Sequence, residues 1–471
     1  MTEASQPTSA ARGTPYAAGT TDAAGTPHAT GTTDAAGDGL GPPARREPLV
    51  LAVLALIALI TIWRGHVDGK LQGAYGTANP PFVLGLVTKT DPWLIVAVLV
   101  LGLGSALAPR LLDLRLRPLP FAVVLLLLAA AAGLSLNAAR VGTYGWYAVF
   151  DLGPRGSFEA ANEYLPGIPL LRWGIPNYLD RFAETVTSQP VNIAGHGPGP
   201  LLLMRAIGAE TAQSLAALCI ACAALCAPLT YWVGRTLVSE RAARTAGLVA
   251  VFTPVMLLDG FTSFDAVYAA MGALAAALLL SRRVPLVVLG VAAFAICTVF
   301  SWALLGVGAA VALAVLFRDG WRRAAVLAAA MGAGFVAING WLAVGYGYDP
   351  VGTLLATEGV YRNSLAQVRP YHFWVFGSPV AWGVMLGPVV LAAAVRAAIR
   401  RSPAAMAILI VVLIAAVAGF TKAETERIWL IFVPLAIVAA APLLTRRRLP
   451  WVLGILALQA LAVQVFAETV W

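Results

Sequence analysis

From residue 49 onward, long apolar runs alternate with short loops rich in arginine. A hydrocarbon core ~30 Å thick is crossed by about 20 helical residues, or ~17–25 with interfacial flanks. Apolar runs approaching that size lie near 49–64, 93–108, 119–137, 212–233, 245–259, 265–281, 284–299, 302–317, 324–345, 377–395, 404–420, 428–444 and 450–467. The pattern predicts an all-α polytopic membrane protein with about 13 transmembrane helices (11–13). Several runs are short enough that flanking loop residues must complete the crossing. The piece 200–207 is too brief to cross and reads as re-entrant.

Residues 1–47 are different. They hold a tandem repeat, GTPYAAGTTDAA (13–24) followed by GTPHATGTTDAA (25–36). Ala, Gly, Thr and Pro without apolar periodicity bury too little surface to offset ordering entropy, so a disordered cytoplasmic tail is expected ahead of a transmembrane domain spanning 48–471. The first apolar run begins only near Leu49, which does not fit a signal peptide.

Orientation follows from charge. With the N-terminus in the cytoplasm and each span reversing the side, every inner loop carries arginine: Arg45 and Arg46; Arg110, Arg115 and Arg117; Arg235, Arg241 and Arg244; Arg282 and Arg283; Arg318, Arg322 and Arg323; Arg396, Arg400 and Arg401; Arg446, Arg447 and Arg448. Acidic residues favour the other side. Trp63, Trp93, Trp321, Trp341 and Trp451 fall at span ends, as an aromatic belt would. A multi-pass plasma-membrane protein with a cytoplasmic N-terminus is the expectation. Two large segments, 138–198 and 346–376, are then extracytoplasmic.

Composition narrows the function classes. Of 471 residues, 59% are hydrophobic and 12% charged, which excludes an ordinary soluble enzyme and a disordered chain. The net charge of +9 is explained by topology, so no nucleic-acid partner is inferred. Cys219, Cys222, Cys226 and Cys297 all sit inside apolar runs and read as small core residues. No GxxxxGK[ST] loop occurs and the inner loops leave no room for a nucleotide-binding domain, so ATP-driven pumping is not expected. No His/Asp cluster has convincing metal-ligand spacing. A divalent cofactor is left open, with no metal site assigned.

The chemistry-bearing residues gather in the outer segments and at span ends. The 138–198 loop carries Asp151, Glu159, Glu163, Asp180 and Glu184 among many aromatics. Within it, Tyr178, Phe182 and Val186 recur at intervals of four, predicting a short amphipathic helix suited to the membrane interface. HGPG (196–199) makes a turn that places His196 where the loop enters the bilayer. Asp265 opens an apolar helix, either as a capping charge or lining an outward cavity. Lys422, Glu424, Glu426 and Arg427 precede the twelfth span. Arg427 is either a local ion-pair partner of Glu424 or a phosphate ligand, since a guanidinium grips phosphate with two parallel hydrogen bonds.

The order of an acidic outer loop, HGPG before PLLLM, the helix pair that follows, FTSFDAVYAA, and then ETERIWLIFVPLA resembles the GT-C superfamily of integral membrane glycosyltransferases. That superfamily includes protein mannosyltransferases and actinobacterial cell-envelope transferases. The resemblance covers 139–281 and, more thinly, 421–444. HGPG departs from the family's HPPG-like turn by one residue, and its paired-acid motif has no clean counterpart. The resemblance implies a GT-C-like fold with a large extracytoplasmic loop bearing short amphipathic helices. It also implies an enzyme that moves a sugar from a polyprenyl-phosphate donor to a glycan, lipid or protein acceptor on the outer face. A loop carboxylate would act as base for an inverting transfer, Asp151 by position, then Glu163 and Asp180. His196, Asp265, Glu424 and Arg427 would line the cavity, with Arg172, Arg362, His372 and Lys422 as further phosphate contacts. A transporter or flippase for envelope precursors is the main alternative, and a scaffold without chemistry the other.

Overall fold

The computed structural model describes residues 40–469 apart from Gly73. Most of the expected tail, up to residue 39, therefore lies outside the described residues. Among the described residues the protein is helical almost throughout. Its one sheet is a two-stranded antiparallel pair, with Leu84 opposite Thr469 and Gly85 opposite Glu468.

Each of the thirteen apolar runs falls on helix, but the helices differ in length. Among the described residues, seven helices are long and apolar enough to span a membrane: Glu47–Gly69, Trp93–Leu112, Pro118–Ala138, Ala212–Leu237, Trp321–Tyr346, Thr425–Leu443 and Leu449–Phe466. Two more runs are bent pairs. Glu240–Phe252 turns by 54° into Pro254–Thr262, and Tyr371–Leu386 turns by 110° into Pro388–Ile399. Counting each bent pair as one span gives nine. Asp265–Leu279, Val284–Phe300 and Pro403–Ala418 are shorter. At 1.5 Å rise per residue, a helix of about 16 residues covers ~24 Å, less than the ~30 Å core.

The bundle is built around Ala212–Leu237, which packs against Pro118–Ala138, Glu240–Phe252, Asp265–Leu279 and Val433–Ala440. Thr425–Leu443 is the most enclosed of the long helices. Glu47–Gln72 is peripheral and turns Leu49, Val53, Leu56, Leu59 and Trp63 outward. A row of exposed large apolar side chains on a long helix suits a hydrocarbon surround.

Loops that charge assigns to one side meet one another. Arg244 donates to the carbonyls of Leu114 and Leu116, at 3.0 and 2.6 Å, and Arg446 pairs with Asp113. Arg318 reaches the carbonyl of Thr236 at 2.7 Å. Glu47 is gripped by Arg396 and Arg400 at 2.9 and 2.7 Å. At the other end, Arg140 donates to the carbonyls of Ala467 (2.5 Å) and Val87 (3.3 Å), fastening the end of the last helix to the loop that follows Glu47–Gln72.

The segment 138–198 is a compact cap of single turns and short helices. The helix expected around 177–186 is two pieces, Ile175–Asp180 and Phe182–Thr185, broken at Arg181. Its apolar face is as expected, with Tyr178, Phe182 and Val186 all buried. That face does not lie on a membrane interface. It packs inward, with Phe182 6.4 Å from Tyr348 between ring centres. The piece 200–207 is a nine-residue helix, Gly199–Ile207.

Candidate functional site: a buried charge cluster beneath the outer cap

Five sequence candidates converge. Glu163 ends the turn Phe158–Asn162 and is fully buried. Asn192 Nδ2 donates to its Oε1 at 2.8 Å. Its Oε2 is buried with no hydrogen-bond partner among the described residues. Burial pushes the Glu163 carboxyl up to about 8; the Arg427 guanidinium pulls against that rise, and the like charges of Asp265 and Glu159 add to it. Glu159 is also raised, chiefly by burial.

His196 sits one helical turn beyond Asn192. Its Nδ1 lies 2.6 Å from the Asn192 carbonyl, so Nδ1 carries the hydrogen and donates, leaving the Nε2 lone pair available. The ring stacks on Tyr268 with centroids 4.9 Å apart and planes at 19°. Tyr164 and Tyr268 share a 2.6 Å hydroxyl contact, and the Tyr164 hydroxyl is 3.3 Å from His196 Nδ1. Burial lowers the imidazole below its ordinary range, while Asp265 pulls the other way.

Asp265 opens the helix Asp265–Leu279 and accepts from Arg427 Nη1 at 2.8 Å. Arg427 also donates to Glu424 Oε2 at 3.1 Å, and Glu424 Oε1 accepts from Arg369 at 2.7 Å. Glu424 has left-handed φ of 57°, which turns its carboxylate back between the two arginines. Burial raises that carboxyl, but Arg427 and Arg369 outweigh it and hold it below the usual range. Lys422 joins at the edge, donating to the Ala366 carbonyl at 3.2 Å and giving its own carbonyl to Arg369.

Carboxylates outnumber cations here. Asp265 and Glu424 have guanidinium partners. Glu163, Asp259 and Glu426 do not, and each keeps one buried oxygen without a partner among the described residues. Glu426 uses its other oxygen to accept from the Val83 amide at 2.8 Å. Among the described residues, no group of three or more His, Cys, Asp or Glu side chains is arranged to hold a metal ion.

The HGPG turn joins this cluster to the apolar helix Gly199–Ile207. The Gly197 amide donates to the Phe300 carbonyl at 3.1 Å. A side-chain carbon on Gly197 would strike the Val299 carbonyl, and one on Gly199 would strike the Phe300 ring, so both positions require glycine for this close approach. Across the turn lies an almost wholly apolar groove of about 310 Å³. It runs between Gly199–Ile207, Val284–Phe300 and Trp321–Tyr346 and includes Leu202, Phe300 and Trp341.

The remaining sequence candidates lie elsewhere. Asp151 accepts from the Tyr144 hydroxyl and the Gly153 amide, each at 2.9 Å. The Gly153 amide, then Tyr144 and Arg155, hold its carboxyl below the usual range. It stabilises a surface turn and has no contact with the buried cluster. Asp180 is exposed beside Gly347. Arg172 is exposed at the end of Leu165–Trp173. Arg362 is tied to Glu358 at 2.6 Å on an exposed helix. His372 borders a different groove, beside Arg64. Sequence reasoning missed Asn192, Tyr268 and Arg369. The signal was indirect, since a buried acid or imidazole demands a polar neighbour, and Asn192 stands four residues before His196.

No protein-family model, curated protein or solved structure matches the chain.

Proposed function

We propose that this is a membrane-embedded glycosyltransferase that moves a sugar from a polyprenyl-phosphate donor to a cell-envelope glycan, lipid or protein acceptor on the outer face. The observation that carries the reading is the adjacency of two unlike environments across one turn. On one side of His196–Gly199 lie Glu163, His196, Asp265 and Arg427; on the other lies an apolar groove. A substrate with a phosphate-linked sugar on a long hydrocarbon chain needs both, side by side.

Glu163 takes the base role in place of Asp151. The acceptor hydroxyl oxygen attacks the anomeric carbon, its proton passes to the Glu163 carboxylate, and the bond from that carbon to the phosphate oxygen breaks with its electrons going to the phosphate. A base near 8 is better matched to a hydroxyl proton than an ordinary carboxylate. Arg427 offsets charge on the departing phosphate. Both its carboxylate partners are in place, so the phosphate must displace one. Glu424, at 3.1 Å and with Arg369 as a second anchor, is the more readily released. The test is transfer of labelled sugar from a panel of polyprenyl-phosphate sugars by the purified, reconstituted protein. Turnover by wild type and none by Glu163→Gln supports the reading, while absence of transfer across donors and envelope acceptors defeats it.

One observation favours the transporter alternative. Asp259 is buried on the far limb of a helix bent by 54°, and transporter sites are often built at such breaks. Flux of a lipid-linked precursor across proteoliposomes, with no covalent transfer, would select that reading.

A further inference from the structure

We propose that the groove between the helices Glu47–Gln72 and Tyr371–Leu386 is a binding site for an anionic phospholipid. It measures about 230 Å³, and its residues are distinct from those of the buried cluster. Ile57, Ile60 and Phe376 supply its apolar wall, and Arg64 and His372 its polar end.

The polar end is built for a phosphate. Arg64 lies against the Tyr75 hydroxyl and donates its Nε to Asp68 Oδ2 at 3.2 Å. That oxygen also accepts the Tyr75 hydroxyl at 2.6 Å, so the carboxylate is shared. The Arg64 side chain is half exposed at the mouth of the groove. An exposed guanidinium edge is a fork that takes two phosphate oxygens. His372 is the second residue of the sixteen-residue helix Tyr371–Leu386 and is exposed. The positive end of that helix adds to the attraction for an anion.

The wall is rigid before any ligand arrives. Phe373 stacks on Tyr75 with centroids 4.0 Å apart and planes at 8°. Trp374 Nε1 donates to the Tyr75 carbonyl at 3.2 Å. A preformed slot loses little conformational freedom on binding. The apolar part continues onto Leu56, Leu59 and Trp63, all exposed, which gives acyl chains a path and selects a lipid over a free anion.

The test is native mass spectrometry of the full detergent-solubilised chain with dioleoyl-phosphatidylglycerol, dioleoyl-phosphatidylcholine or inorganic phosphate. The expected result is one retained phosphatidylglycerol per chain, at least fivefold over phosphatidylcholine, with Arg64→Gln and His372→Gln each weakening retention severalfold. Ile60→Trp, which fills the slot and keeps both polar groups, abolishes it and stands in if Arg64→Gln does not fold. Equal retention of both lipids, retention unchanged in all three variants, or equal protection against thermal unfolding by inorganic phosphate alone would overturn the proposal.

Discussion

Asn192 holds Glu163 and His196 at once: its side-chain amide donates to Glu163 Oε1 at 2.8 Å, and its backbone carbonyl accepts from His196 Nδ1 at 2.6 Å. One residue thereby leaves Oε2 of the acid and Nε2 of the imidazole as the two atoms able to take a proton. Asn192→Ala removes the donor that favours the ionised form of Glu163. The expected outcome is a shift of the rising, acid limb of the transfer rate to higher pH, with the folded fraction on gel filtration little changed. A pH profile superimposable on wild type would remove Asn192 from this role.

The raised Glu163 carboxyl makes two predictions of opposite sign. Activity needs the carboxylate, so transfer should climb with pH and level off above about 8. Stability should run the other way. Between the ordinary value of 4.5 and about 8 the folded protein keeps a proton that the unfolded chain releases. Stability therefore falls as pH rises through that window, at a limiting slope of about 1.4 kcal/mol per pH unit, and is flat above it. Glu163→Gln should abolish this component. Melting curves of both proteins from pH 4.5 to 9 measure it, and identical slopes would show that Glu163 titrates normally.

Breaking the Asp265–Arg427 pair should be costly, and asymmetrically so. Removing one partner of a buried ion pair costs about 3–5 kcal/mol, because the other charge is left uncompensated. Asp265→Asn leaves Arg427 with Glu424, whereas Arg427→Met leaves Asp265 as a buried carboxylate without a cation, with Glu424 still held by Arg369. Arg427→Met should therefore lower the melting temperature more than Asp265→Asn. The double substitution Asp265→Asn with Arg427→Met should recover part of the loss. Equal effects for the two single changes would contradict the shared-arginine arrangement.

Much of this was legible in the sequence, for a physical reason. Ionisable residues at the ends of apolar helices are rare enough to attract notice, and Asp265, Glu424 and Arg427 stand out on that basis, His196 through the HGPG turn, and Glu163 as one of several loop acids, behind Asp151. Within the segment 138–198, sequence could not rank the acids. Asp151 and Glu163 look alike on paper, but one is satisfied by a local turn and the other is sealed in the core. The four-residue period of Tyr178, Phe182 and Val186 identified the buried face correctly, yet gave no hint of the break at Arg181 or of the partner Tyr348. Hydropathy located the thirteen apolar runs on helices but not the fourteen-residue helix Pro350–Asn363, and among the described residues seven helices, or nine with the bent pairs, are long and apolar enough to cross a membrane. It counts apolar residues, not helix length, and apolar helices of 15–17 residues bury their faces against protein in this bundle.

Asp151→Asn and Asp180→Asn should each retain sugar transfer within about threefold of wild type, since neither carboxylate reaches the buried cluster. Loss of activity in either, with Glu163→Gln still active, would return the base role to the surface of the cap.

The lateral groove predicts a separable effect on the donor. Ala206 lies on Gly199–Ile207 and lines the apolar slot without touching the charge cluster. Ala206→Trp would occupy space that a polyprenyl chain needs while leaving Glu163, His196 and Arg427 in place. The expected result is a KM for the long-chain donor raised about tenfold, equivalent to ~1.4 kcal/mol of lost binding. The rate at saturating donor and the melting temperature should stay near wild type. A water-soluble short-chain donor, which does not fill the groove, should be unaffected. If the short-chain and long-chain donors respond equally, the hydrocarbon lies along another face of the bundle, and the turn at His196 loses its role as the boundary between lipid and chemistry.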